Sequence, residues 1–176
     1  MRWAYFIPAV LAAMVVQTTV GQVLWFRTSL GWIGPELLAC VAVFVALNVR
    51  NGTDAALAGW ALGLGVDVTL SGEGMGLLPL LYAAGCGGLF GIRDPFYRAR
   101  FLSQMALGLM FCLFVYQLWT AYDVLVFPAL HRSYGARILQ AAALAAYTAV
   151  LTPLVGGLLR KAQRQLVAMP DARGRR

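Results

Sequence analysis

Ala58 to Gly76 reads AGWALGLGVDVTLSGEGMG: an apolar helix-length run that carries one carboxylate, Asp67, and then breaks into a glycine-rich turn. An ionisable group inside such a run is costly in lipid and is kept for a partner, a ligand or a helix end. The rest of the chain decides that lipid is the right solvent to consider. Of its 176 residues 61% are hydrophobic and only 12% are charged, more apolar surface than a water-soluble domain of this length can hide. The chain reads as an integral membrane protein.

Working outward from Asp67, six stretches approach the roughly 17 to 25 apolar residues that a helix needs to cross a hydrocarbon core. They are residues 3–26, 30–49, 53–70, 75–92, 101–127 and 136–159. Continuous apolar runs lack the alternation of a membrane barrel, so the expected fold is an all-α six-transmembrane-helix bundle, a single polytopic domain over 1–176. The first run has only Arg2 before it and no small-x-small cleavage site, and is expected to stay as an anchor. With the N-terminus inside, eleven Lys and Arg fall on the cytoplasmic side against three outside (Arg27, Arg132, Arg137). This asymmetry sets both termini in the cytoplasm. The formal charge of +7 then belongs to the inner surface, above all to the tail 160–176, where Arg160, Lys161 and Arg164 face anionic lipid. No nucleic-acid partner is needed to explain it.

Catalysis finds no support in the residues. Cys40, Cys86 and Cys112 fall in three different spans without metal or disulfide spacing, and read as small packing residues. His131 is the only histidine. No phosphate loop, serine elbow or paired carboxylate is present, so no catalytic, metal or cofactor site is expected.

Polar residues inside the spans are unevenly placed. With the third helix running outward from Thr53, Asp67 lies about 21 Å along it, in the outer half of the bilayer. Gln17, Thr18 and Gln22, then Glu36, then Gln117 and Thr120, then Gln140 fall at similar height. This layer serves either as hydrogen-bonding glue between helices or as the lining of an outward cavity or partner surface. Asp67 has a local alternative as well: Ser71 can bond to it, Gly72 can end the helix, and Glu73, Gly74 and Gly76 complete an outer turn. Pro35 and Glu36 read as the first turn of the second helix, where a carboxylate meets the positive end of the dipole. Gly59 and Gly63, and again Gly87 and Gly91, have the G-x-x-x-G spacing that lets helix backbones approach, with Ala9 and Ala13 a weaker form.

The Gln17-Thr18 pair late in the first span, the Pro35-Glu36 entry to the second, and the run G-x-x-x-G-x-G-x-D-x-x-x-S-G-x-G-x-G from Gly59 to Gly76 together resemble the rod shape-determining MreD family. The resemblance implies a multi-pass protein of the bacterial inner membrane, with a bundle similar to the S component of energy-coupling-factor transporters. It implies a non-enzymatic partner of MreC, acting with MreB, RodA and a class B penicillin-binding protein in lateral peptidoglycan synthesis. The candidate interface is Asp67, Ser71, Gly72, Glu36, Gln17, Gly59 and Gly63. The alternative is a substrate-binding S component of a vitamin transporter, in which the same polar layer captures a small molecule.

Overall fold

The computed structural model describes residues 3–21, 23–29, 31–70, 76–96, 101–126 and 134–166. The chain is mostly helical: α1 (Trp3–Val16), α2 (Leu37–Asn48), α3 (Gly52–Leu70), α4 (Leu77–Phe96), α5 (Phe101–Val126) and α6 (Tyr134–Leu166). A π-helical turn, Gln17–Gly21, extends α1, and a short antiparallel hairpin joins it to α2 through β1 (Phe26–Thr28) and β2 (Gly31–Ile33). The strands pair Phe26 with Ile33, Arg27 with Trp32 and Thr28 with Gly31.

This corrects the first two expected spans. Residues 3–26 do not form one helix: the α-helix ends at Val16, and Thr18 and Thr19 bond back to the carbonyls of Met14 and Val15 at the change of winding. Residues 30–49 are not one helix either, because the span holds β2 and then an α2 of only 12 residues. The remaining four expected spans each coincide with a helix, although α6 runs on to Leu166.

The core forms around α2. Its residues Leu38, Ala39, Cys40, Ala42, Val43 and Ala46 are all fully buried, as a helix apolar on every side must be. Around it α3 and α4 pack as an antiparallel pair, α5 and α6 pack as a second, and α1 lies at the edge. The α3–α4 contact explains Gly59 and Gly63. A Cβ at Gly59 would come within 2.6 Å of the Tyr82 carbonyl, and one at Gly63 within 2.6 Å of Pro79 Cα. These two glycines are therefore used inside the chain, against α4. On the far side of α4 the second pair behaves differently, since a Cβ at Gly87, Gly88 or Gly91 would meet nothing within 4 Å.

The exterior is apolar in stripes. Ile7, Leu11 and Val15 on α1, Met110, Phe114 and Leu118 on α5, and Val150, Leu154 and Leu158 on α6 are all exposed at helical spacing. Two helices, Phe101–Val126 and Tyr134–Lys161, are long and apolar enough to cross a membrane. A hydrocarbon surround leaves such stripes at no cost, whereas water would penalise them. The cysteines are free and buried, with Cys86 seated against Gly59 and Cys40 beside Thr152.

The two faces of α4 yield a paired test. Gly63→Leu forces apart backbones in contact and is expected to destabilise the bundle by about 1–3 kcal/mol. Gly88→Ala fills open space and is expected to change stability by less than about 1 kcal/mol, towards greater stability. Unfolding of the two variants in detergent, followed by loss of helical signal, checks both.

Candidate functional site

The site grows from the N-terminus of α2, which begins inside the bundle rather than at its end. A helix start leaves backbone N–H groups without partners within the helix, and buried ones must be satisfied by something else. Glu36 occupies the N-cap position but its carboxylate makes no capping bond. Two other elements do the capping. Thr148 of α6 accepts the Glu36 N–H at 3.2 Å, and Gln17 at the start of the π turn accepts the Leu37 N–H through Oε1 at 2.7 Å. The same Gln17 amide donates to the Pro35 carbonyl at 3.3 Å, so both ends of its side chain are fixed.

Freed from capping, the Glu36 carboxylate turns into the bundle. Tyr82 of α4 donates its hydroxyl to Oε1 at 2.7 Å, and Tyr116 of α5 donates to Oε2. Tyr82 is itself buried edge-on against Phe111, with ring centroids 5.2 Å apart. Glu36 is only 7% exposed. Five elements thus converge around one residue: α6 on its backbone N–H, the π turn on the Pro35 carbonyl and Leu37 N–H to either side of it, α4 and α5 on its carboxylate, and α2 following it.

Above Glu36 lies a half-open cavity of about 470 Å³. Tyr116, Trp119, Thr120 and Asp123 line it from one face of α5, while Arg137, Gln140, Ala141 and Leu144 line it from α6. Trp25, Gly34 and Pro35 close it on the hairpin side, Val66, Thr69 and Leu78 on the side of α3 and α4. The Trp25 ring lies directly on Gly34, where a Cβ would come within 2.3 Å of it. Arg137 pairs with Asp123 on the cavity wall, and Gln140 donates to the Trp32 carbonyl at 3.1 Å, which ties the hairpin to α6. Phe26 meets Tyr147 edge-on about two helical turns beyond Gln140 along α6.

Asp67 takes the local role. Its Oδ2 accepts the Gly76 N–H at 2.6 Å, which clamps the end of α3 to the start of α4. Gly76 has φ of 103°, a conformation that side-chain-bearing residues resist, so the turn enters α4 through glycine. Asp67 is 8% exposed and lies outside the cavity lining. Ser71 and Gly72, with Glu73 and Gly74, lie outside the described residues, as do Gln22, His131 and the tail beyond Leu166. Arg160 and Lys161 are exposed on the last turns of α6, and Arg164 falls within the same helix.

Of the expected polar layer the structure brings Gln17, Glu36, Thr120 and Gln140 to one cavity. It adds Tyr116 and the Asp123–Arg137 pair to that lining, and sets Tyr82 and Thr148 on Glu36 outside it. The helical spacing Tyr116, Thr120, Asp123 and the spacing Arg137, Gln140, Leu144, Thr148 were the available signals, since each series falls on one helix face. Among the described residues no cluster of side chains suited to hold a metal occurs.

The capping arrangement predicts different outcomes at two adjacent positions. Gln17→Ala leaves the Leu37 N–H without its partner and is expected to lower stability by about 1–3 kcal/mol. Thr18→Ala removes a hydroxyl that bonds only to carbonyls of its own helix and is expected to cost less than about 1 kcal/mol. Thermal unfolding of the purified variants separates the two.

No protein-family model, no curated protein and no solved structure matches the chain.

Proposed function

We propose that the chain is a non-enzymatic, six-span adaptor of the bacterial inner membrane that binds MreC and supports lateral wall synthesis with MreB, RodA and a class B penicillin-binding protein. Both termini face the cytoplasm in this reading, so the hairpin, the α3–α4 turn and the cavity mouth face outward. Two counts along different helices then give the same depth for the Glu36 contact. Thr148 lies twelve residues from Arg160 on α6, and α2 takes 12 residues to descend from Glu36 towards Arg50. Each count corresponds to about 18 Å, so the Glu36 contact sits about 12 Å below the outer boundary of a core about 30 Å thick.

The observation that carries the adaptor reading is the open glycine face of α4. A close-packed bundle has used Gly59 and Gly63 internally, yet leaves Gly87, Gly88 and Gly91 open, with no neighbour among the described residues. This is the surface a single membrane helix needs for close approach, since helix association in lipid relies on packing and small residues rather than on the hydrophobic effect. The same helix starts at the outer turn held by Asp67. MreC, anchored by one helix and continuing outside the cell, would run along α4 and leave the membrane beside Asp67, Ser71 and Gly72. The resemblance of the Gln17, Pro35-Glu36 and Gly59 to Gly76 segments supports the family, and Gln17 and Pro35 are bonded to each other.

A second reading has its own support in the cavity. A pocket of about 470 Å³ with aromatic walls and a few polar groups falls within the range of small-molecule sites, as in the S component of a vitamin transporter. A vitamin retained through purification, or a thermal shift with a vitamin panel, would favour it.

The adaptor reading is tested by Gly87→Leu with Gly91→Leu, which fills space that the chain itself leaves empty. The variant is expected to fold as the parent does and to recover about tenfold less MreC on co-purification, the effect of losing about 1.4 kcal/mol of helix packing. Undiminished recovery, with normal rod shape in a complemented strain, would remove α4 from the interface.

A further inference from the structure

We infer that the cavity above Glu36 is a receptor for an organic cation, an ammonium or guanidinium group carried on an apolar or aromatic stem. The inference rests on the charge and chemistry of the lining and holds whether the chain is an adaptor or a transport subunit.

Among the described residues the lining side chains charged at neutral pH are Glu36, Asp123 and Arg137. Arg137 is committed to Asp123, which leaves Glu36 as the carboxylate with no cation beside it among the described residues. The N-terminus of α2 offers it about half a positive charge, which offsets the burial of a full one only in part. The floor of the cavity is also an acceptor surface. Each carboxylate oxygen has two lone-pair directions, and Tyr82 and Tyr116 fill one on each oxygen. Because both hydroxyl protons are spent on Glu36, the Tyr116 oxygen that lines the cavity is an acceptor as well. A ligand seated there has to bring N–H donors, and a positive charge completes the balance.

The walls suit the same guest. Trp25, Tyr116 and Trp119 present aromatic rings to the space, and an aromatic face attracts a cation most strongly when water is excluded. Val66, Leu78, Ala141 and Leu144 add hydrocarbon surface to these rings, which matches a hydrocarbon or aromatic stem rather than a fully polar molecule. An anion would meet Glu36 with no uncommitted base among the described residues, and a purely apolar guest would leave the acceptors facing nothing.

The test uses the full chain in nanodiscs with three probes of similar size: 2-phenylethylammonium, 2-phenylethanol and 3-phenylpropionate. Tryptophan fluorescence, with Trp25 and Trp119 as reporters, and calorimetry read the binding. The ammonium is expected to bind at least about tenfold more tightly than the alcohol or the carboxylate, and Glu36→Gln to abolish that preference. Trp119→Leu leaves the Glu36 bonds in place and is expected to weaken the ammonium several-fold, which gives a reading should Glu36→Gln fail to fold. Equal binding of the three probes, or a preference that survives Glu36→Gln, overturns the inference. Mass spectrometry of the chain purified from its own cells distinguishes the sources. A retained small amine identifies a free ligand, and a crosslink from the cavity to a Lys or Arg of a co-purified protein identifies a partner side chain, while a retained anion in the cavity counts against the proposal. Loss of MreC recovery in the α4 variant with ammonium binding intact would separate this result from the adaptor reading.

Discussion

The structure depends on how the bundle satisfies a helix that begins in its interior. The α2 N-terminus would place exposed N–H groups at a depth where water does not compete, and each would cost several kcal/mol if left bare. Thr148 and Gln17 take the first two of these donors, from opposite sides and from distant parts of the chain. This capping fixes α1 and α6 against α2, and it releases the Glu36 carboxylate to bond α4 and α5 through Tyr82 and Tyr116. In lipid, where apolar contacts gain little over lipid tails, such polar joints and close backbone approaches set which helix lies beside which.

The short α2 has a second consequence, the hairpin. Non-helical backbone at membrane depth is tolerated only where it is buried in protein or lines a water-filled space. The hairpin meets this constraint by pairing its own strands, by accepting the Gln140 side-chain N–H at the Trp32 carbonyl, and by facing the cavity with Trp25 and Pro35. The cavity therefore exists because two helical spans stop short. The π turn begins at Gln17, the residue whose amide bonds the Leu37 N–H and the Pro35 carbonyl at the start of α2.

Much of the helical architecture was legible because lipid imposes a simple length rule, and α3 to α6 follow the apolar runs closely. The hairpin was not legible by that rule. Leu24, Trp25, Phe26, Trp32 and Ile33 keep the local hydropathy high, and apolar content does not distinguish a strand from a helix over so short a run. The punctuation was there, in Gly31 and in Gly34-Pro35, and aromatic residues between turn signals read as strand. The site was half legible. Asp67 drew attention because it stands alone in an apolar run, and it proved to hold a turn. Glu36, next to a proline, looked like an ordinary first-turn acid on the dipole, and only the tertiary caps from Gln17 and Thr148 turn it inward. No local pattern encodes that choice, because the deciding partners lie 20 and 112 residues away.

The two glycine pairs show why sequence spacing alone does not identify an interface. Gly59-Gly63 and Gly87-Gly91 have the same spacing, yet one is closed by Pro79 and Tyr82 and the other is open. The difference follows from chain connectivity. The clamp from Asp67 to Gly76 joins α3 and α4 by a short turn, so the face of α3 that holds Gly59 and Gly63 meets its sequence neighbour first. Gly87, Gly88 and Gly91 point away from that contact, and the α5 side of α4 is taken by Gly85 against Phe111. The remaining face is small, smooth and open. A bundle that kept larger residues there would pack no worse within itself, so the open strip is a property of the surface rather than a requirement of the fold. That separation lets binding be altered on one face of α4 while the other continues to hold the chain together.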